Sequence, residues 1–131
     1  MEMNDMEKAA KIAEMMGWEK VDTIHIINKD GQSTWHWAKD GKYVESRFYD
    51  PANNVAQAID AAEYYRKQHL EQNCCWGLTS PDGGYFDFWG CAFYFGMDPD
   101  TGAPTSVFDA EADTPAAAIV DALLTAMEEE A

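Results

Sequence analysis

Asp-Gly pairs stand in Asn28-Lys29-Asp30-Gly31, Lys39-Asp40-Gly41-Lys42 and Pro81-Asp82-Gly83-Gly84. Each pair separates runs rich in β-branched and aromatic residues. Asp and Gly both tolerate positive φ, which a tight hairpin turn requires. The spacing therefore predicts antiparallel strands at residues 23–27, 33–38 and 43–48, and a further hairpin built from 74–80 and 85–96. Residues 106–112 read as a last strand. In the stretch from Tyr85 to Phe95, one alternate set is Tyr85, Asp87, Trp89, Cys91, Phe93 and Phe95, and the other is Phe86, Phe88, Gly90, Ala92 and Tyr94. Neither set is polar. Such a strand is expected at the centre of a sheet or covered on both sides.

Helices are expected between these sheet segments. Asn4 and Glu7 have the spacing of a capping box, with Asn in place of Ser or Thr, and Ala9, Ile12, Ala13 and Met16 follow at helical spacing up to Gly17. A second helix is expected over residues 54–70, after the break at Asp50-Pro51, with Val55, Ala58, Ile59, Ala62 and either Tyr65 or Tyr64 on its apolar side. Thr114 as N-cap and Pro115 as first residue open a third, with Ile119, Leu123 and Met127 as its stripe. The order is α β β β α β β β α. It predicts an α+β fold of antiparallel sheets layered with helices, an α-β-α sandwich. At 131 residues it is expected to be a single domain, 1–131.

Charge narrows the function classes. The net charge is −15, and all nine Lys and Arg residues lie between Lys8 and Lys67. From Gln68 to Ala131 there are 12 acids and no base. High net charge keeps a protein dispersed, and an acidic half can also dock on a basic partner. Direct binding to nucleic acid needs a basic footprint and is not expected. No apolar run approaches the roughly 20 residues of a membrane span, and the acidic amphipathic N-terminus does not resemble a secretory signal. The expected location is the cytoplasm, without membrane association.

Few residues are spaced for site chemistry. Cys74 and Cys75 are adjacent and would point to opposite faces of a strand, while Cys91 lies apart. This is not metal spacing, so the thiols are expected as small buried fillers, with no metal and no cofactor. Asp98, Asp100 and Gly102 have part of a calcium-loop pattern, but Gly102 takes the fifth place and Asp109 the twelfth, so a turn is expected. Trp35 and Trp37 share one side of a strand, near Lys39, Lys42 and Arg47. They are expected as core. Alternatively, they form a stacking wall for a nucleotide-like ligand, neutralised by those three bases. No nucleophile elbow, phosphate loop or dinucleotide fingerprint occurs, and catalysis is not expected.

Three stretches resemble the phage αβα ("ABA") sandwich family of small phage proteins. They are Gly17-Trp18 after the first helix, FYDPANNVAQAIDAAEYY from Phe48, and ADTPAAAIVDALL from Ala112. The resemblance implies a phage origin and α–β–α layering, and it brings no catalytic residues. The function expected from charge and resemblance together is a non-enzymatic accessory protein that binds and inhibits a host defence or nucleic-acid-binding protein. It would be a nucleic-acid mimic of the anti-CRISPR-like kind. Its partner would be a host protein with a basic surface. The expected binding residues are Asp82, Asp87, Asp98, Asp100, Asp109, Glu111 and Asp113. A nucleotide-signal sponge and a homodimerising structural component of the phage are the alternatives.

Overall fold

Asn4 opens the first helix as its spacing to Glu7 predicts. Its side-chain oxygen accepts a hydrogen bond from the Glu7 amide at 2.8 Å, and α1 runs Asp5–Met15. The structure is a computed structural model that describes residues 3–27, 33–45, 48–81 and 87–130. Gly17, at φ 87°, ends the helix: its amide donates to the Glu14 carbonyl at 3.0 Å, and the Trp18 amide donates to the Ala13 carbonyl at 2.9 Å. This pair of bonds is a Schellman cap, and glycine supplies its left-handed residue without a Cβ clash.

The chain divides into two compact units, Met1–Asp50 and Pro51–Ala131. In the first, β1 (Glu19–Ile27), β2 (Ser33–Lys39) and β3 (Lys42–Glu45) form an antiparallel meander in the order β1-β2-β3. β1 starts four residues earlier than expected, and its register shifts between Thr23 and Ile27. Lys39 pairs with Lys42 across Asp40 and Gly41, whose φ of 51° and 79° make the expected two-residue turn. His36 and Trp37 are both buried, at 8% and 2% exposure. The turn at residues 28–31 and the end of the third expected strand at 46–47 lie outside the described residues.

In the second unit, Asn54 caps α2 (Val55–Gln68) by accepting from the Gln57 amide at 3.1 Å. The buried side of α2 is Ala58, Ala61, Ala62 and Tyr65, while Val55 and Ile59 are exposed. This differs from the expected stripe. An alanine-rich helix packs through its smallest side chains, because they let the backbone come close. After a 3-10 turn, Leu70–Gln72, come β4 (Cys75–Thr79), β5 (Trp89–Phe95) and β6 (Ser106–Ala112). They form a second antiparallel sheet, order β4-β5-β6. The turn residues 82–84 and the expected strand start at Tyr85 and Phe86 lie outside the described residues.

α3 (Pro115–Glu130) packs on β5 and β6, and α2 packs on α3 and touches β4. Thr114 caps α3, accepting from the Ala117 amide at 3.2 Å. Ile119 and Leu123 are buried as expected, but so are Ala116, Ala118, Val120, Ala122, Leu124 and Ala126. The helix is thus buried around most of its girth. The sheet's inner face carries Trp76, Phe93 and Phe108 directly opposite one another. Trp76 and Phe93 stack with centroids 6.1 Å apart, and Tyr65 meets Phe93 edge-on at 5.6 Å. Each such aromatic pair adds about 0.5–1.5 kcal/mol beyond the area it buries.

β5 leaves the sheet at Gly96, φ 64°. The Thr105 amide and hydroxyl both donate to the Phe95 carbonyl, at 2.9 and 3.0 Å, and a Cβ on Gly96 would run into that hydroxyl. Gly96→Ala is therefore expected to cost about 2 kcal/mol or more, combining left-handed strain with a clash. Gly77→Ala, where an added Cβ meets nothing within 4 Å, is expected to stay within about 0.5 kcal/mol of wild type. Urea denaturation of both variants checks this, and equal losses would contradict it.

Candidate functional site

Alternation along β6 sorts its side chains. Phe108, Ala110 and Ala112 face inward and are half-buried, and Val107, Asp109 and Glu111 face outward and are exposed. The register places Asp109 beside Ala92 and Gly77 in one row across the sheet, and Glu111 beside Gly90 and Thr79 in the next. A Cβ built on Gly77 meets no atom within 4 Å, and one on Gly90 meets only Thr79 Cβ at 3.9 Å. Around Gly77, Gly90 and Ala92 the outward face is thus an open floor of small residues with two carboxylates along one margin. The expected apolarity of both faces of β5 is explained differently on each side. Cys91, Phe93 and Phe95 are buried on the inner face, whereas Gly90, Ala92 and Tyr94 form part of this partly exposed floor.

The other expected acids fall near the ends of the same strand. Asp98 and Asp100 lie in the loop that joins Phe95 to Ser106, and both are exposed. Asp98 serves the loop itself: its carboxylate accepts from the Asp100 amide at 2.8 Å, and its carbonyl accepts from the Gly102 amide at 2.7 Å. At the far end Trp89 pairs with Ala112, which brings exposed Asp87 and Asp113 to one end of the sheet. Asp82 lies outside the described residues. β6 alone spans about 20 Å at its usual rise per residue. The structure therefore strings six expected acids along one strand and its ends, and sets two of them side by side on one face.

This unit holds 14 acids and two bases, a net of −12. Both bases are on α2. One of them, Arg66, is used internally: its Nη2 lies 3.0 Å from Glu63 Oε2, and Trp76 Nε1 donates to Glu63 Oε1 at 2.8 Å. These bonds join α2 to β4. The Arg66 bond, then the Trp76 bond, holds the Glu63 carboxyl below its ordinary 4.5. Sequence reading missed this triad, because Glu63 and Trp76 meet only through the tertiary fold.

Of the residues of the ligand alternative, the structure describes the side chains of Trp37, Lys39 and Lys42. Trp37 is buried, so its ring is core and offers a ligand no stacking surface. Trp35 lies on β2 with its side chain outside the described residues, as is the whole of Arg47. Lys39 Nζ donates to the Met16 carbonyl at 2.6 Å, and Lys42 is exposed beside the turn. An open recess of about 310 Å³ lies between Gly17, Glu19, Ala38, Lys39, Asp40 and Gly41. It has two acids, one lysine already bonded to a helix end, and no aromatic ring.

The cysteines sit apart from the acidic margin. Cys74 and Cys91 are buried and Cys75 is half-exposed; all three are free thiols. Burial pushes the Cys91 thiol up to about 12. Among the described residues, no group of three or more His, Cys, Asp or Glu side chains converges on a metal position, and no helix is long and apolar enough to cross a membrane.

No protein-family model matches the chain, and neither does any curated protein. A solved structure does: a phage protein from Bacillus cereus ATCC 14579, at 20% identity and a TM-score of 0.52, over 97% of this chain and 91% of that one. This chain has the fold of a small phage protein. The likeness concerns the α+β fold, which agrees with the layering expected from the sequence.

Two outcomes follow from this chemistry. A chromogenic thiol reagent is expected to reach Cys75 quickly and Cys74 and Cys91 only after denaturation, and fast reaction of all three would contradict their burial. The lowered Glu63 value means that its stabilising contribution is present above the unfolded carboxyl value near 4.5 and is lost as pH falls through the lower folded value. The stability gap between wild type and Glu63→Gln is therefore expected at pH 7 and to shrink below pH 4. A gap unchanged down to pH 3 would contradict the triad.

Proposed function

We propose that this chain is a non-enzymatic phage accessory protein that binds and inhibits a host protein with a basic surface, of the kind that handles nucleic acid or serves defence. The observation that carries the reading is the outward pair Asp109 and Glu111 on an open sheet face, in a unit of net charge −12. Lysines and arginines that normally neutralise phosphates would meet carboxylates instead. The small-residue floor of Gly77, Gly90 and Ala92 leaves room for their aliphatic stems to lie flat. Charge of one sign over a whole unit speeds association and makes it salt-sensitive. The likeness in fold to a phage protein supports the phage setting of this reading. The burial of Trp37 and the bond from Lys39 to Met16 give the nucleotide-sponge reading less support.

The test is capture of host proteins at low and high salt by wild type and by the double variant Asp109→Lys/Glu111→Lys. Wild type is expected to retain a basic nucleic-acid-binding protein at low salt and release it at high salt. The variant is expected to bind at least about tenfold more weakly, since like charges set against a partner cost several kcal/mol. Its urea midpoint is expected to match wild type, because both positions are exposed. Undiminished capture by the folded variant would overturn the proposal.

A further inference from the structure

β6 is an edge strand whose outer side, among the described residues, pairs with no other strand. Its inward residues Phe108 and Ala110 are only half-buried, while Phe93 and Cys91, paired with them on β5, are fully buried. That contrast marks an edge open to solvent. Folded proteins usually blunt such edges with a proline, a bulge, an inward-pointing charge or a covering loop. β6 contains no proline, and its inward positions are Ser106, Phe108, Ala110 and Ala112, none charged. Its pairing with β5 runs without a break from Trp89↔Ala112 to Phe95↔Ser106, so no bulge twists it away. Seven regular residues are thus presented as a template, guarded only by Asp109 and Glu111 on the outward face.

We propose that this edge takes up an extended, lysine- or arginine-bearing segment of the partner as a fourth strand of the sheet. This rests on the function proposed above and names how that partner is held. Charge selects the occupant. A second copy of β6 laid antiparallel would bring carboxylates opposite or diagonal to carboxylates, which is unfavourable. A strand with basic residues at alternate positions would set them beside Asp109 and Glu111. Its intervening side chains would fall on the inner side, beside Phe108 and Ala110. Exposed Val107 adds an apolar contact on the outward face. The main-chain bonds give affinity, and the alternate carboxylates give register and discrimination. The opposite edge, β4, lacks this selectivity: Cys75, Gly77 and Thr79 carry no charge, and Trp76 is already engaged by Glu63.

The test uses a fluorescein-labelled octapeptide of alternating lysine and threonine, read by anisotropy at low salt against the intact protein. Two analogues of equal charge carry N-methyl groups on either the lysine or the threonine nitrogens, so that between them every peptide amide is blocked. Binding of the parent is expected, with a loss of about tenfold or more for at least one analogue, as several backbone hydrogen bonds are removed. Asp109→Lys/Glu111→Lys is expected to weaken the parent by at least a similar factor. If both methylated peptides bind as tightly as the parent but the double variant binds none, strand addition is overturned and the acidic-face reading survives. If methylation weakens binding and charge reversal does not, the edge pairs without charge selection, and the proposal fails in that form. Absence of binding by the parent peptide also overturns it.

Discussion

Packing of α3 against β5 and β6 decides which way the acids point. Strand side chains alternate with a period of two, so a slip of one residue in β6 would carry Asp109 and Glu111 inward and turn Phe108 out. Two devices hold the register. Phe108 lies opposite Phe93 and edge-on to Phe95, with centroids 5.7 Å apart. The Phe95 carbonyl takes both donors of Thr105, at a turn that only Gly96 fits. The acidic margin is therefore a consequence of a well-packed inner face, with no contact of its own needed to hold it.

The aromatic stretch from Cys74 to Gly96 supplies that packing. Of its inward members, Trp76 and Phe93 stack on each other, and Phe93 and Phe95 meet Tyr65, His69 and Phe108 edge-on. Its outward members Gly77, Gly90 and Ala92 are small, which leaves an open floor beside Asp109 and Glu111. The Glu63–Arg66–Trp76 triad ties the same sheet to α2 and occupies one of the two bases in the unit. Stability and charge are thus arranged on opposite sides of one sheet. Rings and alanines hold the inner side, and carboxylates are spread on the outer side and at its ends.

Much of the fold was legible because its signals are local. Asn4, Asn54 and Thr114 cap their helices through amides three residues on, and Asp40-Gly41 closes its hairpin with both φ values positive. Faces were harder to read. In α2 the alanines give so little contrast that Val55 and Ile59 were placed on the wrong side. In β5 alternating Gly and Ala look apolar by sequence, although small side chains on an open face serve equally well. The acids were countable from the sequence. Which of them share a face depends on β6 being an edge strand in a particular register, and that is set by contacts distant along the chain.

Carboxyl footprinting of the protein with its captured host partner tests the central claim most directly. Carbodiimide labelling of exposed carboxylates would be compared in the free and bound protein by mass spectrometry. Protection of Asp109 and Glu111 on binding, with Glu128 and Glu129 at the end of α3 still labelled, is the predicted result. Equal labelling of Asp109 and Glu111 in both states would show that the partner sits elsewhere and that the acidic strand is only a solvated edge.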